Sequence, residues 1–244
     1  METLGKAFSN YSRTPFLSVW AVLMYIILLA AFFFTALGLI IAYFISLSVF
    51  GAQVDPSSIS SMAVVGVIAL MFVFFSGGLN AALARALRSA FWREKTSLTG
   101  FFSYALDKAP EMFAIMLVRE LVWLLACGWA VALYIFVLKD YEFMEFLVGA
   151  YVIFMTFVVH MLATPAFISA GAFGSPFMAS FRQGIEFLRK KHIYFIAMYA
   201  IFAFTWVLDW VPLVNLVSLF FAYPVVYSAM IAMMESSVKV RDEE

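Results

Sequence analysis

Apolar residues along this chain fall into six long runs separated by short polar breaks. They are roughly Phe16–Phe50, Ile59–Ala84, Met112–Leu138, Phe143–Phe173, Ile193–Leu208 and Leu213–Met234. A helix that crosses a bilayer needs about 20 such residues, so the pattern predicts six transmembrane helices. The first and fourth runs exceed that length and must tilt, kink or project beyond the lipid. Gly38 is the weak point expected in the first. The fifth is short, and Trp206 and Trp210 mark its expected interface. The breaks have local causes. Asp55-Pro56-Ser57-Ser58 carries turn chemistry, Lys139-Asp140-Tyr141-Glu142 is a charged loop, and Asp209-Trp210-Val211-Pro212 turns the last hairpin.

Three shorter stretches repeat a second pattern. Leu4, Ala7, Phe8 and Tyr11 share one helical face, as do Leu98, Phe101, Phe102 and Ala105, and then Met178, Phe181, Ile185 and Leu188. Each stretch ends at charged or breaking residues: Arg13-Thr14-Pro15, Lys108-Ala109-Pro110 and Lys190-Lys191-His192. Ser175-Pro176 supplies an expected N-cap and first-turn proline for the third. These segments are expected to lie in the membrane interface with their aromatic faces in lipid. Each precedes a hairpin of two spans, so the chain is a single domain, 1–244, built of three parallel units at about 1–95, 96–174 and 175–244. The second span of each unit holds a helix disruptor: Gly77-Gly78, Pro165 and Pro224. Such kinks either expose backbone to a cavity or improve packing.

Charge decides the orientation. Thirteen of the fifteen Lys and Arg residues fall on one side of the six-span scheme, Lys139 alone falls on the other, and Arg119 lies within a span. The positive-inside rule then places both termini in the cytoplasm of a multi-pass plasma-membrane protein. The first run is too long for a signal-peptide core and is expected to stay as the first span.

Composition agrees with lipid as the main solvent. Hydrophobic residues make up 66% and charged residues 12%, and mean hydropathy is +1.01; a soluble domain carries about 25% charged residues. Zero net charge and the lack of a basic surface exclude nucleic acid as a partner. Cys127 is the single cysteine, so the chain can form neither an internal disulfide nor a thiolate metal cluster.

The third unit reads Ser180-Phe181-Arg182-Gln183-Gly184-Ile185-Glu186-Phe187-Leu188-Arg189-Lys190-Lys191-His192, followed by a hydrophobic hairpin ending in Ala222-Tyr223-Pro224. It resembles uncharacterised six-span membrane proteins of archaea and some bacteria. Those are similar in turn to the membrane domain fused ahead of certain glycerophosphodiester phosphodiesterases. The resemblance implies a membrane helical bundle. It carries over no enzyme activity, since no catalytic domain is attached, and it transfers no site residue.

Polar residues inside the spans are the candidates for function, because they are costly there. Arg119 and Glu120 adjoin in the third run. They cannot share a helical face, so Glu120 is expected to take Arg85 or Arg88 as its partner. His160 has Thr156 and Thr164 four residues to either side, forming a polar stripe. Asn80 pairs with Ser76 in the second span, and Asn215, Tyr223 and Tyr227 line one face of the sixth. These groups could meet inside the bundle or serve only as interhelical hydrogen bonds. One His without neighbouring ligands does not make a metal site, and no cofactor motif is present. The nucleophile–base pairs, zinc motifs and facing carboxylates of intramembrane enzymes are also missing. The sequence therefore predicts a non-enzymatic all-α integral membrane protein. The first expectation is a scaffold or accessory subunit contacting membrane lipids, its own copies or other membrane proteins. The alternative is a transport, permease-like or channel component.

Overall fold

The long apolar runs fold as helices because nothing within them interrupts the i to i−4 hydrogen-bond ladder for long. The computed structural model describes residues 2–13, 15–49, 58–139, 141, 143–208, 215 and 217–242. Among the described residues seven α-helices follow one another: α1 (Glu2–Arg13), α2 (Pro15–Val49), α3 (Ile59–Phe91), α4 (Leu98–Leu133), α5 (Met144–Phe173), α6 (Phe177–Leu208) and α7 (Tyr223–Asp242). A π-turn extends α4 over Tyr134–Leu138, and another, Ser218–Ala222, leads into α7. Among the described residues there is no strand. Expectations resting on Asp55, Pro56, Ser57, Asp140, Glu142 and the 209–212 turn lie outside the described residues. So do the side chains of Leu4, Lys6, Trp206, Lys239 and Arg241.

Among the described residues, five helical stretches are long and apolar enough to cross a membrane: Pro15–Val49, Ile59–Phe91, Leu98–Leu138, Met144–Phe173 and Ser218–Ser237. The run Ile193–Leu208 forms the distal half of α6 and is not among them. Gly38 does not interrupt α2. The break expected at Lys108-Ala109-Pro110 is absent, since α4 continues through Pro110. A proline removes one ladder bond, and packing against neighbouring helices can carry the helix past that loss. The break at Lys190-Lys191-His192 survives as a kink, with Lys191 at φ −131° and ψ 18° inside α6. Helix α6 starts at Phe177, and the Ser175 hydroxyl donates to Gln183 Oε1 at 3.0 Å instead of capping.

Buried side chains gather at one end of the bundle. They include Ala21, Val22 and Met24 of α2, Leu79, Leu83 and Leu87 of α3, Ile168, Ala170 and Ala172 of α5, and Met230, Ile231 and Met234 of α7. At the other end the helices pair within hairpins and expose their remaining faces. Phe32 stacks on Phe75 between α2 and α3, and Tyr151 donates to the Ala126 carbonyl between α5 and α4. Phe34, Phe136 and Ile153 there are all exposed, as lipid-facing residues should be.

Small residues let the packed end close. A Cβ on Gly78 would stand 2.1 Å from the Ala105 carbonyl oxygen, and one on Gly184 would stand 3.1 Å from the Ala166 nitrogen. The buried face of the α6 leading segment is therefore Ser180, Gly184 and Phe187, while Met178 and Ile185 of the expected stripe are exposed. In α1 and α4 the stripes divide: Ala7, Phe101 and Ala105 are buried against protein, while Phe8, Leu98 and Phe102 are exposed.

Helix α1 docks on α7. The Tyr11 hydroxyl donates to the Phe220 carbonyl at 2.7 Å, and both Phe8 and Tyr11 make T-shaped ring contacts with Phe221. Pro224 has no N–H to offer the carbonyl four residues back, which is that of Phe220; Tyr11 supplies a donor. Burial pushes the Tyr11 phenol up from its ordinary pKa, so it stays protonated at neutral pH. Tyr11→Phe is expected to cost about 1 kcal/mol. Thermal melting in detergent checks this, and an unchanged melting temperature would show that the bond contributes nothing.

Candidate functional site

Helices α3 to α7 surround a cavity of about 220 Å³. It brings together Asn80, Arg119, His160, Thr164, Tyr223 and Tyr227, each from a stretch that the sequence marks as polar within an apolar run. Met112, Met116, Phe167 and Phe202 supply the apolar part of the wall.

Helix α3 places Asn80 just past the Gly77-Gly78 step, where its Nδ2 donates to the Ser76 carbonyl at 2.9 Å. Helix α4 supplies Arg119. Its guanidinium lies 5.5 Å from the centre of the Phe167 ring and forms an ion pair with Glu120, with Nε donating to Oε1 at 2.9 Å. The partners expected for Glu120 are engaged elsewhere. Arg88 pairs with Glu235 at 2.8 Å, and Arg85 lies over the Tyr104 ring at 4.2 Å. Adjacent helical residues diverge by about 100°, but both side chains are long enough to bend back toward each other. That neutralises the pair without a crossing of the bundle. Glu120 remains half exposed and does not line the cavity.

On α5 the expected stripe divides. His160 Nδ1 bonds to the Thr156 carbonyl at 2.9 Å, and the Thr164 hydroxyl donates to the His160 carbonyl at 2.7 Å. His160 and Thr164 face the cavity. Thr156 instead accepts a 2.8 Å bond from Trp123 Nε1 and ties α5 to α4. Asn215 is not among the lining residues. Tyr199 of α6, unmarked by any polar neighbour in sequence, completes the wall.

The π-turn Ser218–Ala222 and Pro224 bracket Tyr223, which stacks on Tyr227 with ring centres 5.5 Å apart. Extra turns of this kind redirect side chains within a helix and are frequent at functional sites. A second cavity of about 270 Å³ shares Asn80, Phe202 and Tyr223 with the first and adds Tyr25, Thr205 and Ser218. The Ser218 hydroxyl donates to the Thr205 carbonyl at 3.2 Å. Among the described residues, no three His, Cys, Asp or Glu stand close enough to share a metal ion.

One polar cluster lies apart from both cavities. Glu235, 6% exposed, accepts from Arg88 at 2.8 Å and from Trp92 Nε1 at 3.2 Å, and Arg88 also donates to the Ala172 carbonyl at 3.2 Å. It joins α3, α5 and α7. Glu235 sits among methionines at the end of an apolar run, where its placement alone does not separate it from a solvated helix end.

No protein-family model, curated protein or solved structure matches this chain.

Proposed function

We propose that this chain is a multi-pass component of the cell membrane that admits a small solute or amphiphile into its interior, a transport-type role. The observation that carries this reading is the convergence of Asn80, Arg119, His160, Thr164 and two tyrosines on one cavity inside an apolar bundle. Interhelical bonding alone would pair such groups helix to helix, as Trp123 and Thr156 do. A cavity leaves room beside them for something else. Binding sites are concave and largely apolar, with a few converging polar groups.

In this proposal the distal half of α6 is the sixth span, both termini are cytoplasmic, and the three units form a closed ring. Each leading segment packs on the disrupted helix of the preceding unit. Ala105 meets Gly78, Gly184 meets Pro165-Ala166, and Tyr11 meets the carbonyl of Phe220, ahead of Pro224. The likeness to six-span archaeal and bacterial membrane proteins fits the same scheme. A scaffold or accessory role is the second reading, favoured by the exposed apolar faces at the open end.

Single cysteines in a Cys127→Ser background test both cavity and orientation. Cys127 is fully buried, so its replacement leaves the surface intact. Thr164→Cys is expected to react with a small water-soluble thiol reagent, while lipid-facing Leu124→Cys does not. Equal silence from both would remove the cavity reading. In sealed vesicles Lys95→Cys and Lys139→Cys should be labelled from opposite faces; labelling from one face would overturn the topology.

A further inference from the structure

We infer that the cavity beside Arg119 receives the oxyanion of a membrane amphiphile, an inference that rests on the cavity reading above. Among the described residues, Arg119 is the formally charged group on the wall and no carboxylate lines it. Its counter-ion, Glu120, lies outside the cavity and is half exposed. A cation entering here would meet the guanidinium directly. An anion would find it already facing inward, with planar donors suited to carboxylate or phosphate oxygens.

The phenols point to the same ligand. Among the described residues, the hydroxyls of Tyr223 and Tyr227 have no protein hydrogen-bond partner, yet both line the cavity. Both hydroxyls open onto the cavity as unused donors, and an oxyanion is the acceptor that also answers Arg119. The rest of the wall, Met112, Met116, Phe167 and Phe202, is apolar, as are the exposed helix faces at the open end of the bundle. A free anion would gain nothing from those surfaces. An acyl chain attached to the oxyanion would bury against them.

The test reads protection of the Thr164→Cys reporter in nanodiscs. Oleate and oleoyl-lysophosphatidate are expected to slow its labelling saturably. Monoolein, with the same tail and no charge, should need about tenfold more. Removing the counter-ion with Glu120→Gln should free Arg119 and tighten the anionic probes, whereas the Arg119→Gln/Glu120→Gln pair should weaken them about tenfold. The double variant leaves no lone charge in the membrane, and Tyr223→Phe/Tyr227→Phe offers a second, uncharged route to the same weakening. Monoolein protecting as well as oleate, or indifference of the anionic probes to all of these variants, would overturn the assignment. Inorganic phosphate protecting as well as lysophosphatidate would overturn the amphiphile in favour of a free anion. No labelling of Thr164→Cys without any probe would instead sink the cavity reading on which the inference stands.

Discussion

Gly78→Leu is expected to prevent the packed end of the bundle from closing, at a cost of about 3 kcal/mol. The first atom of any side chain at this position would stand 2.1 Å from the Ala105 carbonyl oxygen and 2.9 Å from its carbon. Those are backbone atoms, so no rotamer change relieves the clash; α3 and α4 must separate. Separation would also uncover Ala109 and Met112, both buried here. Gly38→Ala provides the control. Nothing lies within 4 Å of a Cβ there, so the change should be neutral or add about 0.5–1 kcal/mol through helix propensity. Melting in detergent, followed by aggregation or tryptophan fluorescence, should therefore move in opposite directions or in one alone. Equal effects from the two glycines would refute the close approach of α3 to α4.

Glu235→Ala should be the most damaging single change at a charged residue, costing about 1–3 kcal/mol, because the Arg88 left behind is partly exposed. It strands the Arg88 guanidinium beside the Ala172 carbonyl and the Phe173 ring, and removes the acceptor of Trp92 Nε1. The cost comes from the charge left behind, not from the attraction lost. Arg88→Met combined with Glu235→Leu should thus recover most of the stability. A double variant as unstable as Glu235→Ala would mean that the pair holds its position by shape alone. By contrast, Arg182→Ala should change little, since its bond to Glu186 is largely exposed.

Helix type was legible from the runs of apolar residues because lipid-facing helices need no periodicity to be recognised, but extent was not, since α4 begins at Leu98 and α6 at Phe177. The breaks were less legible. Pro110 and Gly38 are both helix-weakening residues by local rules, yet α4 and α2 pass through them. At Pro110 the neighbouring Ala109 is packed against α3, whereas Gly38 is exposed and one glycine costs a long helix only about 1 kcal/mol. The buried face of the leading α6 segment was misread for a related reason. Hydrophobicity singles out Met178, Phe181, Ile185 and Leu188, but close helix approach selects small residues, and Ser180 and Gly184 turn inward.

The candidate site divides along the same line. Arg119, His160, Thr164 and Asn80 stand out because each is polar within an apolar run. That signal says nothing about which of them meet. Thr156, equally conspicuous, turns to Trp123. Tyr199 and Tyr25 were invisible, because an aromatic residue in an aromatic-rich membrane segment carries no mark. Partner choice for Glu120 depended on the reach of flexible side chains, which helix geometry alone does not fix.

The docking of α1 on the π-turn ahead of α7 has a consequence for biogenesis. The ribosome makes α1 first and its receptor surface, Phe220 and Phe221, last. Until that surface emerges, the leading helix can reach α3 through the Asn10 bond to the Phe91 carbonyl but lacks its main docking face. Assembly must therefore finish after synthesis ends, and a nascent chain halted before residue 218 would carry α1 undocked, open to protease on a ribosome-bound intermediate and protected only upon release.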